Sequence, residues 1–250
     1  MASVWADGGG GCTADIRTVI WKEARALLSN RGSVLLGYGV IVLIFGGFIL
    51  MDVGMEIAAG DFSRPLLVFS LLAVVLASSQ TARSFAGERE NRTLASLLCT
   101  RISDRNLFLG KVASIVLFTA AMITAAGALH VATINVVSRA QDGGWLFYQS
   151  RPELVPFMFL LPLSVASFAS VVGVLISLRV RNVRGAYLLN LFSGAPALVI
   201  GCSVVGFGPW GRSWHEILGG TVLFFALLVV GFAHLAVKRF RRETLVVESA

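Results

Sequence analysis

Six long uncharged runs of apolar residues constrain the fold of this chain more than any other feature. They cover residues 32–51, 65–82, 112–138, 154–178, 185–211 and 217–237. About 20 apolar residues in a helix cross the hydrocarbon core of a bilayer, and within lipid a helix satisfies all of its own backbone polar groups. The sequence therefore predicts an all-α integral membrane protein, with six transmembrane helices in a single domain over residues 32–238.

Composition supports this class and narrows the function. Hydrophobic residues make up 56% of the chain and charged residues only 14%, against about a quarter in soluble domains. No Asp, Glu, Lys or Arg lies inside the six runs, whereas ion-coupled transporters usually need ionisable groups within the membrane. Paired carboxylates for hydrolysis are absent from the runs for the same reason. We expect no enzyme activity, and any energy for transport has to come from another protein.

The basic residues predict the orientation. Of the 21 Lys and Arg residues, 17 lie before the first run, in 83–111, in 179–184 or after the last run. Because basic residues concentrate on the cytoplasmic side, we expect both termini and segment 83–111 to be cytoplasmic in a multi-pass protein of the plasma (inner) membrane. The formal net charge of +7 then reflects topology and does not indicate nucleic-acid binding.

The N-terminal region divides into a tail and a helix. Residues 1–15 lack the basic and apolar regions of a signal peptide and are expected to form a flexible tail. Residues 16–31 place Val19 and Ile20 on an apolar face and Arg17 on a polar one, with Asp15 as the expected N-cap. We expect this amphipathic helix to lie in the membrane surface. The alternative is a solvent-exposed leader. Residues 239–250 are expected to form a cytoplasmic tail.

Segment 83–111 is the longest polar interval between apolar runs. It contains six Lys or Arg residues and three acids, and Leu94, Leu97 and Leu98 have the spacing of a short amphipathic helix. This patterning predicts that a cytoplasmic partner binds the segment. The alternative is a solvated charged stretch that only fixes the topology.

Several polar or small residues lie within the runs. His130, Asn135 and Asn190 are candidates for a substrate path, although hydrogen bonds between helices, worth about 1 kcal/mol each, are the more common role of such residues. Small residues recur every four positions at Ala169, Gly173 and Ser177, which predicts close helix packing within the chain or between copies.

The cysteine spacing and the absence of a phosphate-binding pattern argue against disulfides, a metal site and ATPase activity in this chain. The three cysteines, Cys12, Cys99 and Cys202, have unrelated spacings that support neither disulfides nor a metal site. The phosphate-binding pattern G-x-x-x-x-G-K-[ST] is absent. We therefore expect no cofactor, no metal and no ATPase in the chain itself.

The sequences FAGERENRTLASLL and CTRISDRNLFLGK together resemble the cytoplasmic loop between the second and third spans of ABC-2 type transporter permeases. The segment WKEARALLSNRG at 21–32 resembles the connecting helix of that family, where a Lys-Glu pair precedes the first span. The matching positions in the loop are Glu88, Glu90, Thr93-Leu94, Leu97-Leu98, Ile102-Ser103 and Gly110-Lys111. The chain departs from the family pattern at Arg92, usually glycine, at Ala95, usually glutamate, and at Arg101, usually proline.

The resemblance implies the membrane subunit of an ATP-driven exporter. Two such subunits, identical or homologous, would form the substrate path in the lipid bilayer and pair with two separate ATPase subunits through the 88–105 loop. A coupling helix around Leu94–Leu98 would dock on the ATPase. The implied coupling residues are Glu88, Arg89, Glu90, Arg92, Thr93, Leu94, Leu97 and Leu98. The alternatives are a membrane scaffold and a facilitator or channel that works without ATP.

Overall fold

The computed structural model describes residues 11–29, 33–48, 63–93, 103–142, 155–180, 182–206 and 214–239. These residues form helices and no strands, which confirms the all-α prediction. The helices are α1 (Gly11–Ser29), α2 (Ser33–Leu43, followed by a π-helical turn Ile44–Phe48), α3 (Ser63–Ser84), α4 (Ala86–Glu90), α5 (Asp104–Asp142), α6 (Val155–Arg179), α7 (Val183–Gly206) and α8 (Trp214–Arg239).

Among the described residues, four stretches of helix are long and apolar enough to cross a membrane. They are Leu66–Glu90, Arg105–Thr133, Pro156–Arg179 and Leu218–Leu235. They correspond to four of the six predicted runs. The described parts of the other two, 32–51 and 185–211, are helical as α2 and α7, and their crossing of the membrane stays a prediction.

Helix α3 lies at the centre of the bundle and α8 at its periphery. The apolar window in α3 is 67% buried and the one in α8 only 17%. Helix α3 packs against α5, α6 and α7, with Leu72, Leu76 and Phe69 in the main core. Exposed side chains in the middle of α8, such as Leu227 and Val230, are apolar, as expected of a helix that faces lipid.

The small residues of α6 allow the close approach of α3 and α7. Ala169, Gly173 and Ser177 are all buried, and Gly173 lies directly against the side chains of Thr81 and Asn190, so a larger residue there would overlap both. This confirms the predicted close packing, and it operates here within one chain.

Two helix starts differ from the expected positions. Helix α1 begins at Gly11 and not after Asp15. Asp15 therefore lies inside the helix, where its side chain accepts a hydrogen bond from Asn106 instead of capping the helix. Helix α5 begins at Asp104, well before the apolar run at 112, with Ser103 Oγ accepting the Asn106 N–H at 3.2 Å as an N-cap. Part of the predicted polar loop is therefore helix.

Candidate functional site

One end of the bundle is joined by polar contacts centred on the short helix α4. We call this set of contacts the polar junction; it comprises α4 with Lys22, Glu23, Ser84, Lys111 and Ser177. The first N–H groups of a helix have no acceptor within it. In α4 this need is met from α6, since Ser177 Oγ accepts hydrogen bonds from the N–H groups of Phe85 and Ala86 at 3.1 and 3.0 Å.

The charged side chains of α4 also bind neighbouring helix ends. Arg89 donates to the carbonyl oxygens of Leu178, at 3.0 Å, and Val180, at 3.4 Å. Glu90 Oε1 accepts from the N–H of Val183 at 3.1 Å. A cation thus lies at the C-terminal end of α6 and an anion at the N-terminal end of α7, which is the arrangement that helix dipoles favour.

Lys111 is the buried cation of the polar junction, with 1% of its side chain exposed. Its Nζ lies 3.2 Å from Glu23 Oε1, 3.1 Å from Glu88 Oε1 and 3.1 Å from the carbonyl oxygen of Ser84. These three contacts match the three donors of an ammonium group. The ammonium also lies 4.7 Å from the centre of the Phe85 ring, a cation–π distance. The buried charge is therefore fully paired, and it joins α1, α3, α4 and α5.

Glu88 is shared between two lysines. Lys22 of α1 lies 3.0 Å from the same Glu88 Oε1 that contacts Lys111. Lys22 remains half-exposed, whereas Glu88 is mostly covered. Glycine at position 110 allows α1 to reach this place, because a Cβ there would come within 2.8 Å of Val19.

The predicted coupling residues fall into three groups. Glu88, Arg89 and Glu90 turn towards their own chain and form the contacts described above. Arg92 and Thr93 are exposed at the end of α4, and Arg92 has φ +57°, the left-handed conformation that favours glycine. Leu94, Leu97 and Leu98 lie outside the described residues.

The candidate substrate-path residues do not form one site. Asn190 donates to Thr81 Oγ1 between α7 and α3. His130 is buried with its ring edge-on to Phe69, 5.7 Å between ring centres. Phe69 and Thr81 are twelve residues apart on α3, or about 18 Å along a helix. Within the described part of the chain, His130 and the side-chain oxygen of Asn135 have no hydrogen-bond partner.

Sequence reasoning missed Lys22, Glu23, Lys111 and Ser177 as site residues. A signal was present for Lys111, because a lone lysine at the start of a long apolar run needs either water or an anion. The Lys22-Glu23 pair and Gly110-Lys111 were noticed only as separate motifs. Nothing in the sequence showed that they meet.

Comparison with protein-family models, with curated proteins and with solved structures gave no match. The residues that the structure describes contain no cluster of metal-ligating side chains. The class of the protein therefore rests on its helices and composition, which are those of a helical membrane protein.

Proposed function

We propose that this chain is the membrane-spanning permease subunit of an ATP-driven exporter of the ABC-2 type. It sits in the plasma (inner) membrane with both termini in the cytoplasm. A second copy or a homologous permease completes the substrate path, and two separate ATPase subunits bind segment 88–105. The chain itself is not an enzyme.

The observation that carries this proposal is that three separate motif segments meet at the polar junction. Lys22-Glu23, Glu88 and Gly110-Lys111 each resemble a different part of the permease pattern. They are far apart in sequence, yet Lys111 contacts Glu23 and Glu88, and Glu88 contacts Lys22. A chance similarity of three short motifs gives no reason for their side chains to pair.

The junction also suits the transmission of force. Segment 94–102 is flanked by two residues that are bound to helices. Thr93 precedes it and donates its N–H to the Glu88 carbonyl at 2.9 Å. Ser103 follows it and caps α5. A displacement of this segment therefore acts on both α4 and α5. Arg89, Glu90 and Ser177 extend the connection to α6 and α7. Closure of an ATPase pair would in this way move most of the bundle at once.

The paired charges change the expected role of Glu88, Arg89 and Glu90. Because they are engaged within the chain, we assign them to holding the junction, while Arg92, Thr93 and the leucines that follow contact the ATPase. Within the membrane, His130 and Asn135 are the better candidates for the substrate path. Asn190 already bonds Thr81, whereas His130 and the side-chain oxygen of Asn135 have no hydrogen-bond partner among the described residues.

Purification of the tagged full chain from its own cells in mild detergent tests the proposal. We expect it to retain a protein that carries the phosphate-binding loop and hydrolyses ATP. The double substitution Leu97→Asp with Leu98→Asp is expected to lose that protein, because two charges would enter an apolar docking face. Leu97→Met with Leu98→Met keeps the face apolar and serves as the matched control.

Two results would count against the exporter. Purification that never retains an ATPase would favour a scaffold or an ATP-independent facilitator. So would an aspartate variant that keeps full function in cells. The scaffold and the facilitator are then distinguished by reconstituting the chain alone in vesicles and measuring solute leakage, which only the facilitator produces.

A further inference from the structure

Helix α1 carries two opposite rows of residues whose charges differ in sign, while its remaining base, Lys22, pairs with Glu88. Asp15, Val19 and Glu23 are spaced four residues apart and face the bundle: Asp15 accepts from Asn106 at 3.1 Å, Glu23 contacts Lys111 at 3.2 Å, and Val19 is buried against Gly110. Residues two apart in a helix are about 200° apart around its axis. The row displaced by two residues therefore faces away from the bundle.

That outer row is Arg17, Trp21 and Arg25, which we call the outer row of α1. All three side chains are exposed, and Trp21 is 66% exposed. Neither arginine forms an ion pair with any residue in the described part of the chain. The inner row thus has the pattern acid–apolar–acid, and the outer row has the pattern base–tryptophan–base. Both acids of α1 and Lys22 thus bind the chain, whereas the two arginines of the outer row are exposed.

The chemistry of the outer row fits the headgroup layer of a membrane. Tryptophan is enriched at that depth, where its ring contacts acyl chains and its N–H meets polar groups. Arginine binds phosphate through paired N–H donors. The inner row packs against Asn106 and Gly110, at the start of the membrane-spanning stretch Arg105–Thr133. The outer row therefore lies at the level of the span's end.

This end of the bundle as a whole, including the outer row, favours an anionic ligand. Among the side chains that the structure describes there, eight bases are exposed and one acid, Glu90. The exposed bases are Arg17, Lys22, Arg25, Arg83, Arg92, Arg105, Arg179 and Arg184. Basic residues near an anionic leaflet each contribute to binding, and they do so together.

We propose that the outer row of α1 binds the phosphate groups of anionic phospholipids. The two arginines would bind the phosphates while Trp21 inserts at the headgroup level. This differs from an amphipathic helix that buries its apolar face in lipid, because Val19 on that face already packs on α5. The proposal requires only that the chain spans a membrane and is independent of any transport activity.

Fluorescence quenching in lipid nanodiscs tests this with the full chain. Brominated phosphatidylglycerol and brominated phosphatidylcholine quench tryptophans in contact with lipid, and subtraction of the Trp21→Phe protein isolates Trp21 from the other four tryptophans. We expect Trp21 to be quenched more by phosphatidylglycerol. This excess should be lost in Arg17→Gln with Arg25→Gln and retained in Arg17→Lys with Arg25→Lys.

The control variant is Arg179→Gln with Arg184→Gln, which removes the same charge from the same end of the bundle but not from α1. It is expected to keep the excess quenching. Lys22 is left unchanged throughout because it pairs with Glu88. Equal quenching by the two lipids, or equal loss in the two glutamine variants, would overturn the proposal.

Acrylamide, a quencher dissolved in water, decides between a lipid and a protein on this surface. Protection of Trp21 from acrylamide in phosphatidylglycerol nanodiscs supports the lipid. Full accessibility of Trp21 to acrylamide in both lipids would show that the outer row faces water, and would overturn the proposal in favour of an acidic protein surface.

Discussion

Lys111 is the residue on which most of the polar junction depends. Lysine is rarely buried unless it is paired, and here its pairing uses two carboxylates and a carbonyl from three other helices. Removal of one partner of a buried ion pair leaves the remaining charge without compensation. The stability of this end of the bundle should therefore respond to Lys111 far more than to the exposed arginines around it.

We predict that Lys111→Met lowers the free energy of unfolding by about 3 kcal/mol, the lower end of the range for a broken buried pair, because Glu23 keeps some access to water. Thermal unfolding in detergent measures the loss. Arg105→Met on the same helix is the control and should change stability by less than about 0.5 kcal/mol. Glu23→Gln should lower the free energy of unfolding less in the Lys111→Met protein than in the parent chain. Equal losses in the two backgrounds would contradict the pairing of Glu23 with Lys111.

Arg92 is the residue at which backbone geometry and sequence disagree. It has φ +57°, which for a residue with a Cβ costs about 1–2 kcal/mol relative to glycine. Arg92→Gly is therefore expected to stabilise the end of α4 by about 0.5–1 kcal/mol, after allowance for the greater freedom of glycine in the unfolded chain. Hydrogen exchange at the Thr93 amide, which bonds the Glu88 carbonyl, reports this end of α4.

Arg92→Ala separates the conformational effect from the charge. It removes the same positive charge but keeps the Cβ. Alanine should therefore give no stabilisation, and an equal gain in the alanine and glycine variants would show that charge repulsion, and not the backbone, sets the effect.

At the scale of elements, α4 is held by other helices more than by its own hydrogen bonds. Five residues are too few for a helix that is stable alone. Its start depends on Ser177 of α6, and its charges bind the end of α6 and the start of α7. The helix is therefore a product of tertiary contacts, and it is lost if those contacts are lost.

Ser177→Ala is expected to destabilise the fold by about 1–3 kcal/mol, because it removes the Ser177 Oγ acceptor of the Phe85 and Ala86 N–H groups. Hydrogen exchange at Phe85 and Ala86 should become faster. Ser170→Ala is the matched control on α6. Among the described residues, Ser170 Oγ donates to the Ala166 carbonyl of its own helix and accepts from no backbone N–H. Equal effects of the two substitutions would argue against the cap.

How well these elements can be predicted from sequence depends on whether lipid or other parts of the protein bury them. Long apolar runs predicted α3, α5, α6 and α8 well, because a membrane selects for hydropathy along the chain. Hydropathy did not predict that α5 starts at Asp104, since Asn106 and Lys111 are polar and their partners, Asp15 and Glu23, are on α1. For the same reason the sequence predicted contacts with an ATPase for Glu88 and Arg89, whose partners lie in their own chain. Contacts between distant segments carry no local periodic signal.

At the scale of the whole molecule, the side chains that the structure describes differ in charge between the two ends of the bundle. The end with the polar junction contains exposed arginines on α1, α3, α5, α6 and α7. At the opposite end of the bundle, the first turn of α8 contains the exposed acid Glu216. Seventeen of 21 basic residues belong to the segments predicted to lie on the junction side. Under the positive-inside rule we therefore expect the junction to lie in the cytoplasm, where ATP and an ATPase would be available.

Cysteine labelling in intact cells tests this orientation. In a chain whose three cysteines are replaced by serine, we expect Glu216→Cys to react with a membrane-impermeant maleimide and Asn91→Cys to react only after the membrane is permeabilised. Both positions are exposed, so burial does not explain a difference between them. The reverse pattern would place the junction outside the cell. It would remove the ATPase from reach of segment 88–105, and the proposed exporter would then be wrong whatever the strength of the contacts at Lys111.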